Sequence, residues 1–285
     1  MLREIRDLGF QFSELSHGIR VSLLPGILEA VDAGEIRIST LHNFCPLPMG
    51  VNHAAPNIFK FSSPDPRERE SAYKHSLKTI ELAQRVGARL VVLHMGDVEM
   101  KEYTDKLVDM VGEGKRETPK YEKICGEMIE KREQKKDMAV KLSLDMLRRL
   151  AEKAGEAGVM LGIENREACE EIPFETEFSQ WLDLFPADVV RYWHDCGHAQ
   201  IKDHLGLISH EFHLAGMTDR LAGFHIHDVE YPGRDHRRPG SGCINWASLR
   251  PMVRPEHIKV LEFSPSLTPE DVAKGAAFMK ETWGE

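Results

Sequence analysis

Apolar and polar positions along the chain follow two periods. Short runs rich in β-branched and aromatic residues read as strands: GFQFSELSH (9–17), EIRISTLHN (35–43), RLVVLHMG (89–96), VMLGIEN (159–165), VVRYWHD (189–195), GFHIHD (223–228) and IKVLEFS (258–264). Between them lie segments with helical spacing, PGILEAVDAG, SAYKHSLKTIELAQRVGA, DMAVKLSLDMLRRLAEKAGEAG, EFSQWLDLF, NWASLRPMV and PEDVAKGAAFMKETW. Several of these end in Gly just before the next strand, as a helix C-terminus does. The alternation predicts right-handed βαβ units and a parallel sheet. No composition break or linker divides the chain, so residues 1–285 read as a single domain. Seven strands is one short of a closed eight-stranded barrel. The chain opens on LREIRDLGF, which reads as a helix leading into the first strand. The expected fold is therefore α/β, a parallel (β/α) TIM-type barrel lacking the usual first strand at the N-terminus. Its gap should lie between the strand near 11–16 and the one near 258–263.

The segment from about 97 to 140 is long for a strand-to-helix connection. It is rich in Lys and Glu, and YEKICGEMIEKREQKKDMAV has helical spacing, so it reads as a helical insertion. It is either a solvated excursion or a lid over a site at the strand ends, where barrels carry their function.

The strand ends hold the chemistry. The runs finish on His42–Asn43, His94, Glu164–Asn165, Asp195, His225–Ile226–His227–Asp228 and Glu262. In parallel α/β folds ligands bind at the carboxyl ends of strands, and in barrels these ends share one mouth. Strand alternation puts His225 and His227 on one face, with Ile226 on the other. In RYWHDCGHAQ (191–200), Asp195 ends its strand and His198 follows after a Cys196–Gly197 turn. Each residue alone has an ordinary structural explanation: a hydrogen-bonded core histidine for His94, an ion-paired acid for Glu164, solvated loop residues for His198 and His236. Several carboxylates in one mouth, however, repel one another unless positive charge lies between them. Imidazole and carboxylate donors together favour Zn²⁺ or Mn²⁺, with other divalent ions allowed.

Charge and cysteine usage narrow the partners. Against 37 Lys and Arg stand 46 Asp and Glu, a formal net charge of −9. That disfavours a surface built to neutralise phosphates, so no nucleic-acid partner is expected. No apolar stretch approaches the ~20 residues that cross a bilayer. The N-terminus is charged from its third residue and reads as no secretory signal. Five cysteines without a CxxC pair fit free thiols in a reducing cytoplasm. The reading is a cytoplasmic protein with no membrane partner, and a homo-oligomer stays open.

IEN (163–165), DCGH (195–198), HIHD (225–228) followed by RRPGSGCINW (237–246), and VLEFS (260–264) resemble, in this order, the xylose isomerase-like barrels. That superfamily holds sugar isomerases, ketose 3-epimerases, inosose dehydratases and abasic-site endonucleases related to endonuclease IV. The resemblance covers almost the whole chain apart from the insertion and the absent first strand. It implies that Glu164, Asp195, His225 and Glu262 ligate one divalent ion (Mn, Zn, Co or Mg), with His198 contacting the substrate. His225 is taken as the ligand because the family's H-x-x-D/E pattern sets Asp228 three residues on; His227 remains a substitute. The implied function is a metal-dependent sugar or sugar phosphate isomerase or epimerase, with proton transfer through an enediolate. Glu164 and Glu262 would be its acid–base pair, and the partner a small carbohydrate.

Two alternatives stand beside this. An endonuclease IV-like abasic-site phosphodiesterase uses a three-metal cluster, and His42, His94, His198 and His236 stand where that pattern has ligands. The departure is Arg234, where the endonucleases carry an Asp; Asp235 is adjacent but out of register. The other alternative is a barrel that binds a sugar or metal without catalysis. Arg234, Arg237 and Arg238, with the Gly240 and Gly242 turn, are candidate holders of a phosphate or carboxylate; Arg237 is placed among the substrate-binding residues.

Overall fold

The computed structural model describes residues 2–284. Each strand expected from the pattern is present: β1 (Phe12–Leu15), β2 (Arg37–His42), β3 (Leu90–Leu93), β4 (Met160–Glu164), β5 (Val190–Asp195), β6 (Leu221–Ile226) and, later in the chain, β9 (Ile258–Leu261). They form one sheet in the order β1-β2-β3-β4-β5-β6-β9. Pairing is parallel from β1 to β2, β2 to β3, β3 to β4, β5 to β6 and β6 to β9. The fold is a parallel TIM-type one, and its sheet order ends on β1 and β9, the two strands flanking the expected gap.

Helices fill the connections: α1 (Leu2–Asp7), α2 (Leu24–Asp32), α3 (Pro66–Val86), α4 (Thr104–Gly112), α5 (Pro119–Ala157), α6 (Phe178–Leu182), α7 (Cys196–His204), α8 (His210–Met217), α9 (Trp246–Leu249) and α10 (Pro269–Trp283). Three details differ from the pattern. The run 223–228 is broken, because β6 stops at Ile226 and an antiparallel hairpin follows, β7 (Asp228–Glu230) with β8 (Arg234–Arg237). The sequence RDHR of β8 has no apolar alternation to reveal it. Cys196 and Gly197 form the first turn of α7 rather than a free turn. The insertion is α4 plus the first half of a 39-residue helix, α5, which runs on without a break into the segment expected after it.

Contacts divide the chain into two compact units. The first comprises the chain up to Asp97, Met138–Glu164 and Gln180–Arg191. Its interior strand β3, LVVL, is buried at every position, as a strand covered on both faces must be. Helix α3 starts where Asp65 accepts from the Arg67 N–H (2.8 Å) ahead of Pro66, and it ends on Gly87 at φ 70°. Its buried face holds the end of β2. Asn43 donates to Ser76 Oγ (2.9 Å) and accepts from Thr79 Oγ1 (3.0 Å), and Thr79 Oγ1 accepts from the Cys45 N–H (2.9 Å). The backbone just past His42 is thereby immobilised.

The second unit comprises Val98–Asp137, Asn165–Ser179 and the chain from Tyr192 onward. Here the α4–α5 segment has an apolar core of its own, including Tyr103, Leu107, Val111, Tyr121, Met128 and Leu205, so it is no solvated excursion. Buried Arg132 donates to the carbonyls of Cys169 (3.0 Å) and Glu171 (3.2 Å) and pairs with both oxygens of Glu177 (2.6 and 2.9 Å). Glu170 accepts from the Tyr103 N–H and from Thr104 Oγ1, both at 2.6 Å, capping α4 from another segment. Buried Lys202 donates to both oxygens of Glu175 at 2.7 Å. Removing one partner of such a pair costs about 3–5 kcal/mol, because the other charge is left buried alone. Residues 165–179, which follow β4, are thus clamped by two buried cations. Around β6, Phe224 packs on Trp283 of α10, whose indole N–H donates to the Trp246 carbonyl (3.0 Å).

Helix α8 carries two imidazoles inward. Burial pushes His210 down to about 4, against the pull of Asp195, and His213 down to about 3, with Lys202 and His210 adding to the effect. Both folded values lie below the ordinary histidine range near 6.5. The folded state therefore binds fewer protons than the unfolded state in acid. The associated stability is complete above about pH 6.5 and is lost as pH falls through the folded values. Each proton taken up on unfolding adds about 1.4 kcal/mol per pH unit to the slope. His213→Gln should reduce the pH 4–6 slope, read from urea midpoints, by about one proton. An unchanged slope would show that His213 is not held neutral.

Candidate metal centre

Asp195 ends β5 and caps α7. Its Oδ1 accepts from the His198 N–H (2.7 Å), which fixes the carboxylate at the start of the helix. The Asn165 side chain grips the same residue from the neighbouring strand end. Its Oδ1 accepts from the Asp195 N–H (2.7 Å) and its Nδ2 donates to the Asp195 carbonyl (3.0 Å). Oδ2 meets three histidines, His227 Nε2 at 3.0 Å, His198 Nδ1 at 3.4 Å and His225 Nδ1 at 3.9 Å. Glu262, placed directly after β9 by its N–H bond to the Ile226 carbonyl (3.1 Å), brings Oε2 to 3.1 Å from His225 Nδ1. Asp195, His225 and Glu262 therefore converge within the second unit.

The two histidines of HIHD have different duties. The backbone N–H of His236 donates to His227 Nδ1 (2.9 Å), so a neutral His227 carries its proton on Nε2 and donates it to Asp195. Both ring nitrogens of His227 have protein partners. His225 faces two carboxylates through Nδ1 instead. Gly197 is required by this arrangement: a Cβ there would run into the His227 ring. His236 lies at φ 52°, uncommon for a residue with a side chain, and its ring stacks on His227 with centroids 4.2 Å apart. Its Nδ1 is 3.0 Å from Asp235 Oδ1 and its Nε2 3.5 Å from Glu262 Oε1. Burial disfavours its imidazolium, but these two carboxylates outweigh burial and push His236 up to about 11. A divalent cation would meet the same negative field.

In the first unit, His42, His94 and Glu164 form another donor group. His42 Nδ1 donates to the Asn43 carbonyl (2.8 Å), so in the neutral ring the lone pair is on Nε2, which faces Glu164 Oε2 at 3.5 Å. His94 Nδ1 is held by Asn57 (2.7 Å), and its Nε2 lies 2.8 Å from the same Glu164 oxygen. Lone pairs aimed at a carboxylate suit a shared cation, and two imidazoles with one carboxylate are a Zn²⁺ or Mn²⁺ donor set.

His198 Nδ1 faces the Asn165 carbonyl (3.0 Å) and Arg166 Nη1 (3.3 Å), and its Nε2 faces Asp235 at 3.9 Å. The expected register gap at Arg234 is closed by geometry. Arg234 points outward to Glu230 (3.7 Å), while Asp235, although one residue later, reaches both His198 and His236. Glu167 joins His198 and Asp235 in a further donor group; burial raises its pKa, helped by Asp235 and Glu171 and opposed by His198 and Arg166. Arg237 is engaged by Glu230 (2.8 Å). The RRPGSGCIN turn serves Asp228, whose carboxylate accepts from the N–H groups of Val229 (2.9 Å), Ile244 (3.1 Å) and Gly240 (2.9 Å) and from the Trp246 indole (3.1 Å). The Gly240 N–H thus already has its acceptor.

Reading strand ends missed four partners. His17, just after β1, packs its ring against His42 (centroids 4.6 Å), and its signal was the same position just past a strand. Asn57, Glu167 and Asp235 lie in loops or on the hairpin, where no period marks them. The five cysteines are free. Among the described residues no helix is long and apolar enough to cross a membrane.

The chain belongs to the xylose isomerase-like TIM barrel family, whose profile matches residues 2–282. No curated protein matches it. Among solved structures it is similar to a D-tagatose 3-epimerase-like protein (15% identity, 96% of this chain and 89% of that one, TM-score 0.68). A 3-keto-D-glucoside 4-epimerase from E. coli gives 16% identity over 98% and 92%, TM-score 0.67. An L-ribulose 3-epimerase gives 17% over 97% and 79%, TM-score 0.64. At these identities the likeness is one of fold.

Gly197→Ala should displace His227 and release Asp195 Oδ2 while leaving α7 intact. Loss of an orienting partner typically costs 10–100-fold in metal affinity. Zn²⁺ or Mn²⁺ affinity, measured by chelator competition, should fall by about that factor with unchanged far-UV circular dichroism. Unchanged affinity would remove His227 from the centre.

Proposed function

We propose that this chain is a divalent-metal-dependent sugar or sugar phosphate isomerase or epimerase that moves a proton on a carbon beside a ketose carbonyl. The observation that carries the reading is the convergence of Asp195, His225 and Glu262, with His225 Nδ1 between the two carboxylates. Glu164 is the last residue of β4, a strand-end position like that of Asp195 in β5. Glu164, Asp195, His225 and Glu262 are assigned as the ligands. An ion held there would supply a Lewis acid for the substrate's carbonyl and hydroxyl oxygens. Glu164 and Glu262 take and return the proton, each carboxylate combining ligand and acid–base roles. The Nε2 of His198, whose Nδ1 faces the Asn165 carbonyl, contacts a substrate hydroxyl. The epimerase names of the structural relatives agree with this reading.

One observation favours a second reading, abasic-site phosphodiester cleavage: the His42–His94–Glu164 group and the His198–Asp235–Glu167 group offer places for further cations. The two are separated by incubating protein, Mn²⁺ or Zn²⁺ and a ketose panel, with and without phosphate, in heavy water and following deuterium by NMR. Wild type should exchange a carbon-bound hydrogen, and Glu164→Gln and Glu262→Gln should each lose at least the ~10²–10⁴ in rate typical of a positioned acid–base group. Equal exchange by both variants would overturn the assigned bases. Nicking of an abasic duplex with no sugar exchange would establish the second reading.

A further inference from the structure

Behind Asp195 lies a buried polar cluster that the proposed chemistry does not use. Tyr192 Oη contacts Asn165 Oδ1 (3.0 Å), His194 Nδ1 (2.8 Å) and His213 Nε2 (2.9 Å). His194 Nε2 lies 2.9 Å from His210 Nε2, and His210 Nδ1 lies 3.1 Å from the Gln200 carboxamide. Tyr192, His194 and His210 are almost completely buried.

The direction of every bond follows from one end. Asn165 accepts from the Asp195 N–H and donates to the Asp195 carbonyl, so its oxygen and nitrogen cannot be exchanged. Its Oδ1 is an acceptor, and Tyr192 must give it the hydroxyl proton. Tyr192 Oη then has only lone pairs left, so His194 Nδ1 and His213 Nε2 are both N–H donors. With the His194 proton on Nδ1, its Nε2 accepts, and His210 donates from Nε2. His210 Nδ1 is then an acceptor, which requires the Gln200 amide, placed with Oε1 3.1 Å from it, to be turned so that its NH₂ faces the ring. Each of the three imidazoles has one tautomer compatible with a complete set of bonds. An amide cannot relay a proton as a hydroxyl or imidazole can, so Asn165 ends the chain as a fixture rather than a proton wire.

We infer that this directed chain positions Asp195: helix α8, through His210 and His213, and then His194, Tyr192 and Asn165, holds the backbone on which the carboxylate rests. The inference rests on Asp195 being a ligand of the proposed metal centre. His210 and His213 stand one turn apart on α8 and reach Tyr192 by two routes, directly and through His194. They fix the helix and the hydroxyl together. Buried polar networks of this kind set geometry when every member is satisfied, and a single unmade bond leaves a donor stranded.

The test uses the full chain loaded with Co²⁺, whose visible d–d bands report ligand geometry, together with imidazole ¹⁵N shifts. The shifts should show the Nδ1–H tautomer for His194 and Nε2–H for His210 and His213; a different tautomer at any of the three overturns the chain. Asn165→Asp keeps size and the acceptor but places an oxygen against the Asp195 carbonyl. It should shift the bands and weaken Co²⁺ about 10–100-fold, as losses of orienting partners do. Tyr192→Phe should move both in the same direction by less. Asp65→Ala, which removes the α3 N-cap and touches no member of the chain, should lower the melting temperature with unchanged bands. If Asn165→Asp and Tyr192→Phe lower the melting temperature but leave bands and affinity as in wild type, or if Asp65→Ala moves the bands as far, the positioning role is overturned. Failure of wild type to bind Co²⁺ would instead sink the metal reading, while the tautomers would still decide the chain itself.

Discussion

A carboxylate with no exposure to water must find its donors in the protein, and Asp195 is such a group. Its Oδ1 takes the first-turn N–H of His198, so α7 can begin only where β5 ends. Its Oδ2 takes the Nε2 proton of His227, and that geometry excludes any side chain at Gly197. The backbone on both sides of its Cα is gripped by Asn165. Remove this carboxylate and the helix cap, the orientation of His227 and the purpose of the Asn165 grip disappear together. The local fold of the second unit around β5 and β6 is organised by satisfying one buried charge.

The same donors decide which neighbours remain available for chemistry. Two histidines separated by a single residue point to one oxygen, yet a backbone N–H from the β7–β8 hairpin fixes His227 as a donor. His225 Nδ1 sits instead between Asp195 and Glu262. Chemical identity therefore says less than hydrogen-bond context. The same holds for His42, whose Nδ1 proton is taken by a main-chain carbonyl, leaving Nε2 directed at a carboxylate.

Much of the architecture was legible because it rests on period and on strand ends. The strand runs stand out through β-branched and aromatic residues, and the order of IEN, DCGH, HIHD and VLEFS pointed to the family now shown. What escaped was short or polar. The four residues of β8, RDHR, carry no alternation, so Asp235 looked out of register with its neighbours. Helix α8 is held chiefly by His210, Leu214 and Met217 and exposes Phe212, which blurs its apolar face. The α4–α5 insertion read equally as a solvated excursion or a lid because its surface is Lys- and Glu-rich; its core residues are spaced among those charges and become visible only once Arg132 and Glu170 tie it to residues 165–179.

That tie explains why a Lys- and Glu-rich insertion belongs to the site's support. Arg132 and Lys202 lie buried against Glu177 and Glu175, and such pairs repay their desolvation only when the geometry is complete. Both clamp the segment that begins at Asn165 and carries Arg166 and Glu167. A displaced segment would cost the two pairs and at the same time move the Asn165 grip on Asp195. Rigidity at the strand end is therefore enforced twice, by buried ion pairs on one side of Asn165 and by the imidazole–tyrosine chain on the other. The carboxylates repel one another, and only the bonds each makes to its own donors hold them together. An electrostatically unfavourable cluster of acids persists because the surrounding bonds, made by residues that need never touch a substrate, leave it no alternative geometry.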